Sequence, residues 1–583
     1  MTADRTQTTT HRPDGWWRSA VVYQIYPRSF QDSNGDGIGD IPGITSRLDY
    51  LADLGVDVLW LSPVYRSPQV DNGYDISDYC DIDPLFGTLN DLDELIAQAH
   101  ARGLKLVMDL VVNHTSDQHA WFQESRDPAS PKRDWYYWRP ARPGREPGTP
   151  GAEPDDKPAA FAPSAWSFDP LSGEYYLGIF SPGQPDLNWE NPEVRQAVYE
   201  MMRWWVDRGV DGFRMDVINL ISKPAELISG EVIDPNSASF GEIANGPRLD
   251  EFLAEMNREV GLDERNLITV GETPGATIEV AQRITDPARH ELNMVFTFEH
   301  MGVDQVPGAG KWDLAPLALP ALKKNLAAWQ YGLAEAGWNS LYWDNHDQPR
   351  AVSRFGDDSP EHRVNSAKTL ATVLHLHKGT PYIYQGEEFG MTNSTFTEIG
   401  QYQDVETLNY HRLATARGIP EADILRSLAA KSRDHARTPM HWDDAEHAGF
   451  TAGVPWFAAN PNYVEINART AVADPESVFA HFQKLIRLRH ADETVQEGRF
   501  ALLLPDHDRI WAFTRTLEEP VLEERAQRAS RKVLVLANCS STPAELPGAG
   551  LPDLAGAELV LGTHAEPDPS VLAPWESRIL RLA

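Results

Sequence analysis

The sequence predicts an α/β protein built on a (β/α)8 TIM barrel, with an inserted subdomain after the third strand and an all-β domain at the C-terminus. Three observations support this fold class. Short β-branched runs recur eight times, amphipathic stretches separate the early ones, and the C-terminal part of the chain carries strand-like runs with Pro/Gly turns. The 583 residues, 41% of them hydrophobic, are enough for a large barrel with appended domains.

Most of the eight predicted strands have nearly continuous apolar character, which is typical of parallel strands buried on both faces. They cover residues 21–26, 56–62, 104–112, 210–217, 267–271, 292–298, 340–344 and 381–385. Between the second and third, Leu92, Leu95, Ile96 and Ala99 share one helical face. Eight strand–helix units favour a closed barrel. Because periodicity alone does not define closure, an open doubly wound sheet is the alternative.

Two stretches interrupt this alternation. Residues 115–188 are too long for a simple loop and rich in Pro, Gly and aromatics, which predicts a small inserted domain. Residues 391–449 form a second long excursion, after the eighth strand. The predicted boundaries are 1–14 for a disordered N-terminus, 15–114 and 189–503 for the barrel, 115–188 for the inserted B domain, and 504–583 for the C-terminal β domain.

Composition excludes several classes of partner. The net charge of −34 argues against nucleic acid and anionic membranes, which are both polyanions. Cys80 and Cys539 are the only cysteines, too few for a disulfide framework. No apolar run approaches the roughly 20 residues of a membrane span, and the N-terminus lacks the apolar core of a signal peptide. We therefore expect a cytoplasmic protein with no membrane partner, either a monomer or a homodimer.

Carboxylates follow four of the predicted strands. The third ends near Asp109 and runs on to His114, the fourth ends in Asp216, the fifth in Glu272, and the seventh runs into Asp347. Active sites of barrel enzymes lie at the carboxyl ends of the strands. Because a buried unpaired carboxylate is costly, four strands that deliver carboxylates to one face predict a catalytic site.

These strand ends resemble the signature regions of the α-amylase superfamily, glycoside hydrolase family 13. The matching motifs are residues 109–114, Gly212–Asp216, Glu272 and residues 345–347, and residues 184–189 resemble the family's fifth region. The similarity runs from Trp16 to near the C-terminus. Within the superfamily, the chain closely resembles the bacterial oligo-1,6-glucosidases, dextran glucosidases and α-glucosidases.

The resemblance implies a retaining mechanism carried by three carboxylates. Asp216 is expected to be the nucleophile, Glu272 the general acid and base, and Asp347 the residue that binds sugar hydroxyls and distorts the ring. The two reacting carboxyls then lie about 5–5.5 Å apart in different protonation states. Arg214, two residues before Asp216 on the same strand face, is expected to keep the nucleophile ionised.

The resemblance also implies a pocket for one terminal glucose. Asp71 and Arg433 are expected to pair and to hold its 4-hydroxyl, which closes the pocket and makes the enzyme exo-acting. The other implied substrate-binding residues are Tyr74, which stacks on the ring, His114 and His346, which donate to hydroxyls, Phe161 and Phe180, which line the pocket, and Lys311, which contacts the second sugar.

The linkage preference depends on Val217, which directly follows the nucleophile. In the resembling enzymes, valine at this position accompanies α-1,6 cleavage, whereas alanine accompanies α-1,4 preference. The expected substrates are isomaltose, isomalto-oligosaccharides and panose. An α-1,4- or sucrose-active α-glucosidase, or a transglucosylase with the same three carboxylates, is the alternative. A non-catalytic member of the superfamily is disfavoured, because all three carboxylates are present.

A loop after the first strand is a candidate metal site. Oxygen-bearing side chains alternate at Asp32, Asn34, Asp36 and Asp40, as in the first half of an EF-hand loop. Gly43 stands where an EF-hand has its bidentate glutamate. The resemblance implies a structural Ca²⁺ that also takes the carbonyl of Ile38, while a loop rich in Asx turns is the alternative. No organic cofactor is expected.

Overall fold

The computed structural model describes residues 15–223, 243–518, 530–564 and 566–582. The N-terminal segment 1–14, predicted to be disordered, lies outside the described residues. No helix in the described ranges is long and apolar enough to cross a membrane.

All eight predicted barrel strands are present and parallel. They are β1 Val22–Ile25, β2 Val58–Leu61, β3 Lys105–Val111, β4 Gly212–Asp216, β5 Ile268–Glu272, β6 Met294–Phe296, β7 Ser340–Leu341 and β8 Thr380–Tyr384. Hydrogen bonding places them in the order 6-5-4-3-2-1-8-7. A parallel bridge between Val295 and Asn339 joins β6 to the start of β7, and the Ser340 hydroxyl donates to the Val295 carbonyl at 2.8 Å. The sheet is therefore a closed barrel, and the open doubly wound alternative is wrong.

Helices surround the barrel in the expected alternation. They are Ile41–Ser46 and Leu48–Leu54 after β1, Leu89–Ala101 after β2, Pro192–Arg208 after β3, Leu249–Val260 after β4, Ile278–Ile284 after β5, Leu319–Gly332 after β6, and Ala351–Phe355 and Arg363–His375 after β7. Thr88 and Asp91 form a capping box at the start of Leu89–Ala101, which fixes where that helix begins. The helix buries Leu92, Leu95, Ile96 and Ala99, the face predicted from the sequence.

The segment after β3 forms a small domain of its own, as predicted. It contains the helix Ala120–Ser125 and an antiparallel sheet of Trp138–Arg139, Glu174–Leu177 and Trp166–Asp169. A short hairpin, Tyr65–Arg66 with Asp78–Ile82, follows β2. The excursion after β8 folds into the helices Val405–Ala416 and Glu421–Lys431, then Ala468–Ala473, Val478–Ala491 and Glu493–Glu497.

The C-terminal region is all-β. Its main sheet has the order Arg499–Leu503, Ile510–Glu518, Ser530–Asn538, Ser577–Arg581 and Glu558–Gly562, and a second pair joins Ala544–Glu545 to Val571–Leu572. The first strand begins at Arg499, inside the range predicted for the barrel, because it pairs along its whole length with Ile510–Glu518. Lys323 of the barrel is fully buried and donates to the carbonyls of Leu504, His507 and Ile510, which fastens this region to the barrel.

Candidate active site

A cavity of about 490 Å³ opens at the carboxyl ends of the barrel strands. The inserted domain forms one wall, and the segment after β8 forms the opposite one. Eleven residues expected from the sequence line it: Asp71, Tyr74, His114, Phe161, Phe180, Asp216, Val217, Glu272, Lys311, Asp347 and Arg433. Arg214 and His346 lie directly beneath, in contact with the lining carboxylates.

Arg214 holds three carboxylates at the floor of the cavity. Its Nη1 lies 2.8 Å from Asp109 Oδ1 and 2.7 Å from Asp216 Oδ1, and its Nη2 lies 2.6 Å from Glu272 Oε2. Arg214 and Asp216 alternate along β4, so both side chains point to the same face of the strand. A planar guanidinium with several donors is suited to such a fork, and it balances the buried negative charge from three neighbouring strands.

The two carboxyls expected to react, Asp216 and Glu272, lie in contact. They hydrogen-bond each other, and the Val217 amide donates to Glu272 Oε2 at 3.1 Å. Burial raises the pKa of Asp216 to about 7 and that of Glu272 to about 8, while Arg214 opposes both shifts and the mutual charge adds to the shift of Glu272. Near neutral pH the pair therefore holds one proton more easily on Glu272 than on Asp216.

Asp347 is the most exposed carboxylate of the expected trio. Its side chain is 29% exposed, whereas those of Asp216 and Glu272 are 9% and 11% exposed. Burial of its carboxyl acts against ionisation, but Arg433 Nη1 at 3.0 Å and Arg437 Nη2 at 2.8 Å hold the pKa of Asp347 well below its usual range. Asp347 is thus a permanently charged acceptor for ligand hydroxyls.

Tyr74 and His346 are joined by ring stacking and by a hydrogen bond. Their rings lie 5.2 Å apart at 9°, and Tyr74 Oη lies 2.6 Å from His346 Nε2 and 3.0 Å from Asp109 Oδ2. Gln24 Nε2 lies 2.8 Å from His346 Nδ1, and burial lowers the pKa of His346 to about 3. A neutral imidazole that accepts from Gln24 and donates to Tyr74 satisfies all these contacts.

The expected pair of Asp71 and Arg433 is present but loose, with Arg433 Nη2 3.5 Å from Asp71 Oδ1. Gln184 donates to Asp71 Oδ2 at 3.2 Å. Asp71 Oδ1 is buried and has no hydrogen-bond partner within the described part of the chain. Such an atom is costly unless a ligand completes its hydrogen bonding. The pair therefore offers an acceptor, Asp71 Oδ1, which lies 3.5 Å from Arg433 Nη2 and has no hydrogen bond in the described part of the chain.

Aromatic rings and a backbone strain shape the wall beside the reacting carboxyls. Phe161 packs against the Arg433 guanidinium at 5.4 Å and lies 6.1 Å from Phe180, which in turn lies 5.1 Å from His114. Val217 has φ 35° and ψ 41°, a left-handed conformation that β-branched residues rarely adopt. This conformation points the Val217 amide at Glu272 while its side chain lines the cavity.

Lys311 lines the cavity beside the segment that follows β8. Its Nζ is 2.6 Å from Glu406 Oε2, at the start of the helix Val405–Ala416. Further along that helix, Tyr410 stacks on Trp312 at 4.5 Å and 15°. The cavity thus has a charged floor and an outer wall, which are joined where Glu406 Oε2 lies 3.6 Å from Arg433 Nε.

Sequence reasoning missed several charged residues of the site. Arg354, Arg412, Arg417, Lys431 and Glu406 line the cavity, and Asp404 and Arg437 contact Arg433 or Asp347 beside it. Asp404, Glu406 and Arg437 all come from the long segment after β8, where no strand end marks them. Asp404 accepts from Arg433 at 3.0 and 2.9 Å and from Arg437 at 2.6 Å, so it is a closer partner of Arg433 than Asp71 is. The one signal in the sequence was that two arginines, Arg433 and Arg437, stand four residues apart, which could have indicated a shared acidic partner.

The candidate metal loop lies outside the cavity. Asp32 accepts from the amides of Asn34, Gly35 and Gly37, and Asp36 accepts from the amide of Ile38. The Asp40 carboxylate accepts from Ser33 and caps the helix Ile41–Ser46 through Gly43.

The chemistry of this loop suits a hard cation, which prefers oxygen ligands. Its aspartates offer carboxylate oxygens, and Asn34 offers its amide oxygen. Asn34 and Asp36 are exposed. The described residues, however, contain no group of three His, Cys, Asp or Glu side chains placed to hold a metal. A bound ion would therefore depend on Asp32, Asn34, Asp36 and the Ile38 carbonyl, with Asp40 holding the loop in shape.

Comparison with known proteins agrees with this architecture. Residues 24–498 match the family model Alpha-amylase, described as the alpha amylase catalytic domain. The chain is 57% identical over 504 residues to an oligo-1,6-glucosidase of Halalkalibacterium halodurans, covering 86% of this chain and 88% of that protein.

Solved structures give the same result. A trehalose-6-phosphate hydrolase of Bacillus licheniformis is 45% identical with a TM-score of 0.89, covering 97% of this chain and 100% of that one. A trehalulose synthase is 39% identical with a TM-score of 0.88, covering 97% and 100%. The chain belongs to the α-amylase family and is a glycoside hydrolase of family 13.

Proposed function

We propose that this enzyme is a retaining, exo-acting α-glucosidase that releases terminal glucose from the non-reducing ends of short oligosaccharides and prefers α-1,6 linkages. The observation that carries the proposal is the floor of the cavity. There, Asp216 and Glu272 are in contact and share Arg214, while Asp347 and the free oxygen of Asp71 face the space where one sugar would lie.

The contact between the two reacting carboxyls supports retention. An inverting enzyme needs room for a water between its carboxyls, which lie about 6.5–9.5 Å apart, whereas a retaining pair is closer. Asp216, ionised beside Arg214, would attack the anomeric carbon and form a glucosyl ester. Glu272, which holds its proton longer, would protonate the departing oxygen and then take a proton from water.

The closed end of the cavity supports exo action. Asp71 and Arg433 would hold the 4-hydroxyl of a terminal glucose, with His114 and Asp347 bound to the neighbouring hydroxyls. A longer chain on that side would meet the Phe161–Phe180 wall and the ion pair. Only the reducing side of the bound glucose faces the open part of the cavity.

The most detailed part of the proposal is the preference for α-1,6 linkages. Val217 lines the cavity beside Glu272, and Lys311 with Glu406 offers polar contacts to a second sugar. The name oligo-1,6-glucosidase of the relative that is 57% identical supports the same preference.

The test is a comparison of kcat/KM on isomaltose, panose, maltose and sucrose under identical conditions. We expect isomaltose and panose to be the better substrates, and proton NMR to show α-glucose as the first product. A higher kcat/KM on maltose overturns the linkage preference, and β-glucose as first product overturns retention.

Transfer to sugars is the second candidate activity. The trehalulose synthase covers 97% of this chain in the structural comparison, so the same scaffold supports an isomerase. In such a reaction a sugar, rather than water, intercepts the glucosyl enzyme. Product analysis at rising isomaltose and sucrose concentration separates the two: free glucose in proportion to bonds cleaved means hydrolysis, and new disaccharides or trisaccharides mean transfer.

We further propose a structural Ca²⁺ at the loop of Asp32, Asn34, Asp36, Ile38 and Asp40, with no role in the chemistry. We also propose that the enzyme acts in the cytoplasm as a monomer or homodimer, without nucleic acid as a partner. The exposed free thiol of Cys80 supports a reducing compartment, and the charge of −34 supports the absence of polyanionic partners.

A further inference from the structure

Asp404 lies at the junction between the floor of the cavity and its outer wall. It precedes the helix Val405–Ala416, and its side chain is fully buried. One oxygen accepts from the Glu406 amide and from Arg433 Nε, both at 3.0 Å. The other accepts from Arg433 Nη2 at 2.9 Å and from Arg437 Nη1 at 2.6 Å. All four contacts are made by one carboxylate.

Both arginines that Asp404 holds also reach the floor. Arg433 Nη1 and Arg437 Nη2 contact the same oxygen of Asp347, at 3.0 and 2.8 Å. The two guanidiniums thus lie between two carboxylates. Asp404 is buried inside the wall, and Asp347 faces the cavity. Without Asp404, the two positive charges would keep Asp347, Asp71 and the more distant Glu406, whose Oε2 lies 3.6 Å from Arg433 Nε. Asp347 and Asp71 are the acceptors that a sugar needs, so their charge would be drawn to the arginines.

The helix that Asp404 caps carries the outer wall. Glu406 pairs with Lys311, Asn409 donates to the Phe161 carbonyl at 3.0 Å, and Tyr410 stacks on Trp312. An aspartate at this position stabilises the first turn of the helix through the exposed amides there. The same side chain therefore fixes where the outer wall begins and where the two arginines point.

We propose that Asp404 is a positioning residue that couples the outer wall of the cavity to the grip on the terminal glucose. It touches no substrate and acts through Arg433, Arg437 and the first turn of Val405–Ala416. This inference rests on the proposed function, since it assumes that the floor binds a terminal glucose. Its consequence is that loss of Asp404 weakens glucose binding far more than it slows the bond-breaking step.

A matched control exists in the same chain. Asp492 also begins a helix, Glu493–Glu497, accepts from the Thr494 amide at 2.9 Å and pairs with Arg581 at 3.0 Å. It takes no part in the lining of the cavity. Asp492→Asn removes a capping carboxylate beside an arginine without touching Arg433 or Arg437, so it separates the loss of a cap from the loss of the coupling.

The experiment measures kcat and KM on isomaltose, together with inhibition of p-nitrophenyl α-D-glucoside hydrolysis by glucose. For Asp404→Asn we expect KM and the glucose inhibition constant both to rise about tenfold or more, because a charged hydrogen-bond network is broken. We expect kcat to fall by less than about threefold, since Asp216 and Glu272 keep their contacts. Asp492→Asn leaves all three constants unchanged.

A second variant keeps the test decisive if Asp404→Asn does not fold. Asp434 Oδ1 accepts from the amides of Gln403 and Asp404 at 2.8 and 3.0 Å, so Asp434→Ala removes this acceptor and loosens Asp404 without removing its charge. We expect a smaller rise in the same two constants.

The coupling is overturned if a folded Asp404→Asn enzyme, or Asp434→Ala in its place, keeps KM and glucose inhibition within twofold of the parent. It is also overturned if kcat alone falls. A parent enzyme that neither cleaves isomaltose nor binds glucose instead refutes the proposed function.

Discussion

The floor and the outer wall of the cavity are built in different ways. The floor consists of strand ends: Asp109, Arg214, Asp216 and Glu272 lie in β3, β4 and β5, whose register places them side by side. The outer wall comes from loops and short helices later in the sequence, at Lys311 and around 404–437. The floor is rigid by backbone pairing, whereas the wall is held by side-chain ion pairs.

This difference separates two properties of the enzyme. Chemistry at the floor depends on carboxyls whose pKa values are set by burial and by one shared arginine. In the proposed function, specificity on the outer side depends on contacts such as Lys311 with Glu406, which can change without disturbing a strand. Variants of the floor should therefore remove turnover, and variants of the wall should redistribute it among substrates.

The largest effect is expected from Asp216→Asn. The substitution keeps the shape of the side chain but removes the nucleophilic charge, so kcat on isomaltose should fall by about 10³-fold or more. Circular dichroism and the melting temperature should stay close to those of the parent. Normal turnover in this variant would contradict the assignment of the floor as the reacting site.

The pH dependence of kcat/KM should show the two floor carboxyls. Activity should rise with pH as Asp216 loses its proton near pH 7, and fall again as Glu272 loses its proton near pH 8. With p-nitrophenyl α-D-glucoside, whose leaving group needs little protonation, the alkaline fall should be weaker. An identical alkaline limb for both substrates would speak against Glu272 as the acid.

The wall is tested by Lys311→Met. This variant removes the ion pair with Glu406, so kcat/KM on isomaltose should fall by about tenfold while p-nitrophenyl α-D-glucoside is nearly unaffected. Lys324→Met is the matched control, because Lys324 pairs with Asp506 and does not line the cavity. An equal loss on both substrates would place Lys311 in the glucose site instead.

Val217 lies between the floor and the outer wall, and its substitution tests whether this position influences the linkage preference. Val217→Ala removes two methyl groups beside Glu272, and the ratio of kcat/KM on isomaltose to that on maltose should fall about three- to tenfold. The residue keeps its left-handed backbone, so overall stability should change little. An unchanged ratio would mean that linkage is chosen by the outer wall alone.

The smallest effect is expected at the metal loop. Exhaustive chelation should lower the melting temperature by about 2 °C, and added Ca²⁺ should restore it, because an ion that binds only the folded state stabilises it. The kinetic constants at 25 °C should not change. If neither the chelator nor added Ca²⁺ changes the melting temperature, the loop binds no structural ion and is explained by its Asx turns alone.

The sequence predicted the floor better than the wall for a physical reason. Parallel strands buried on both faces leave apolar runs, and the polar residue that ends each run is visible by contrast. This pattern located all eight strands and the carboxylates that follow them. The partners of Arg433 had no such marker: Asp404 and Arg437 lie in irregular chain, and their proximity depends on how 391–467 folds back over the barrel.

Side-chain arrangement was also beyond the sequence. Tyr74 was expected to stack on the sugar, and nothing in the sequence indicated that its ring also stacks on His346 and hydrogen-bonds to it. The left-handed backbone of Val217 follows from tertiary packing and runs against the local preference of valine. Both features arise from contacts between residues far apart in the chain.

The closure of the barrel has a consequence for local opening. β3 and β4 pair over five residues, whereas β6 meets β7 through the single bridge of Val295 and Asn339. Amide protons along this seam should exchange with solvent sooner than those of β4, since fewer bonds must break to release them. We therefore expect local opening at the seam between β6 and β7, on the side that carries Asp347, while the pairing of β4 below Asp216 is kept. In the proposed mechanism, the contacts of Asp347 with the sugar could then loosen for product release without moving the nucleophile.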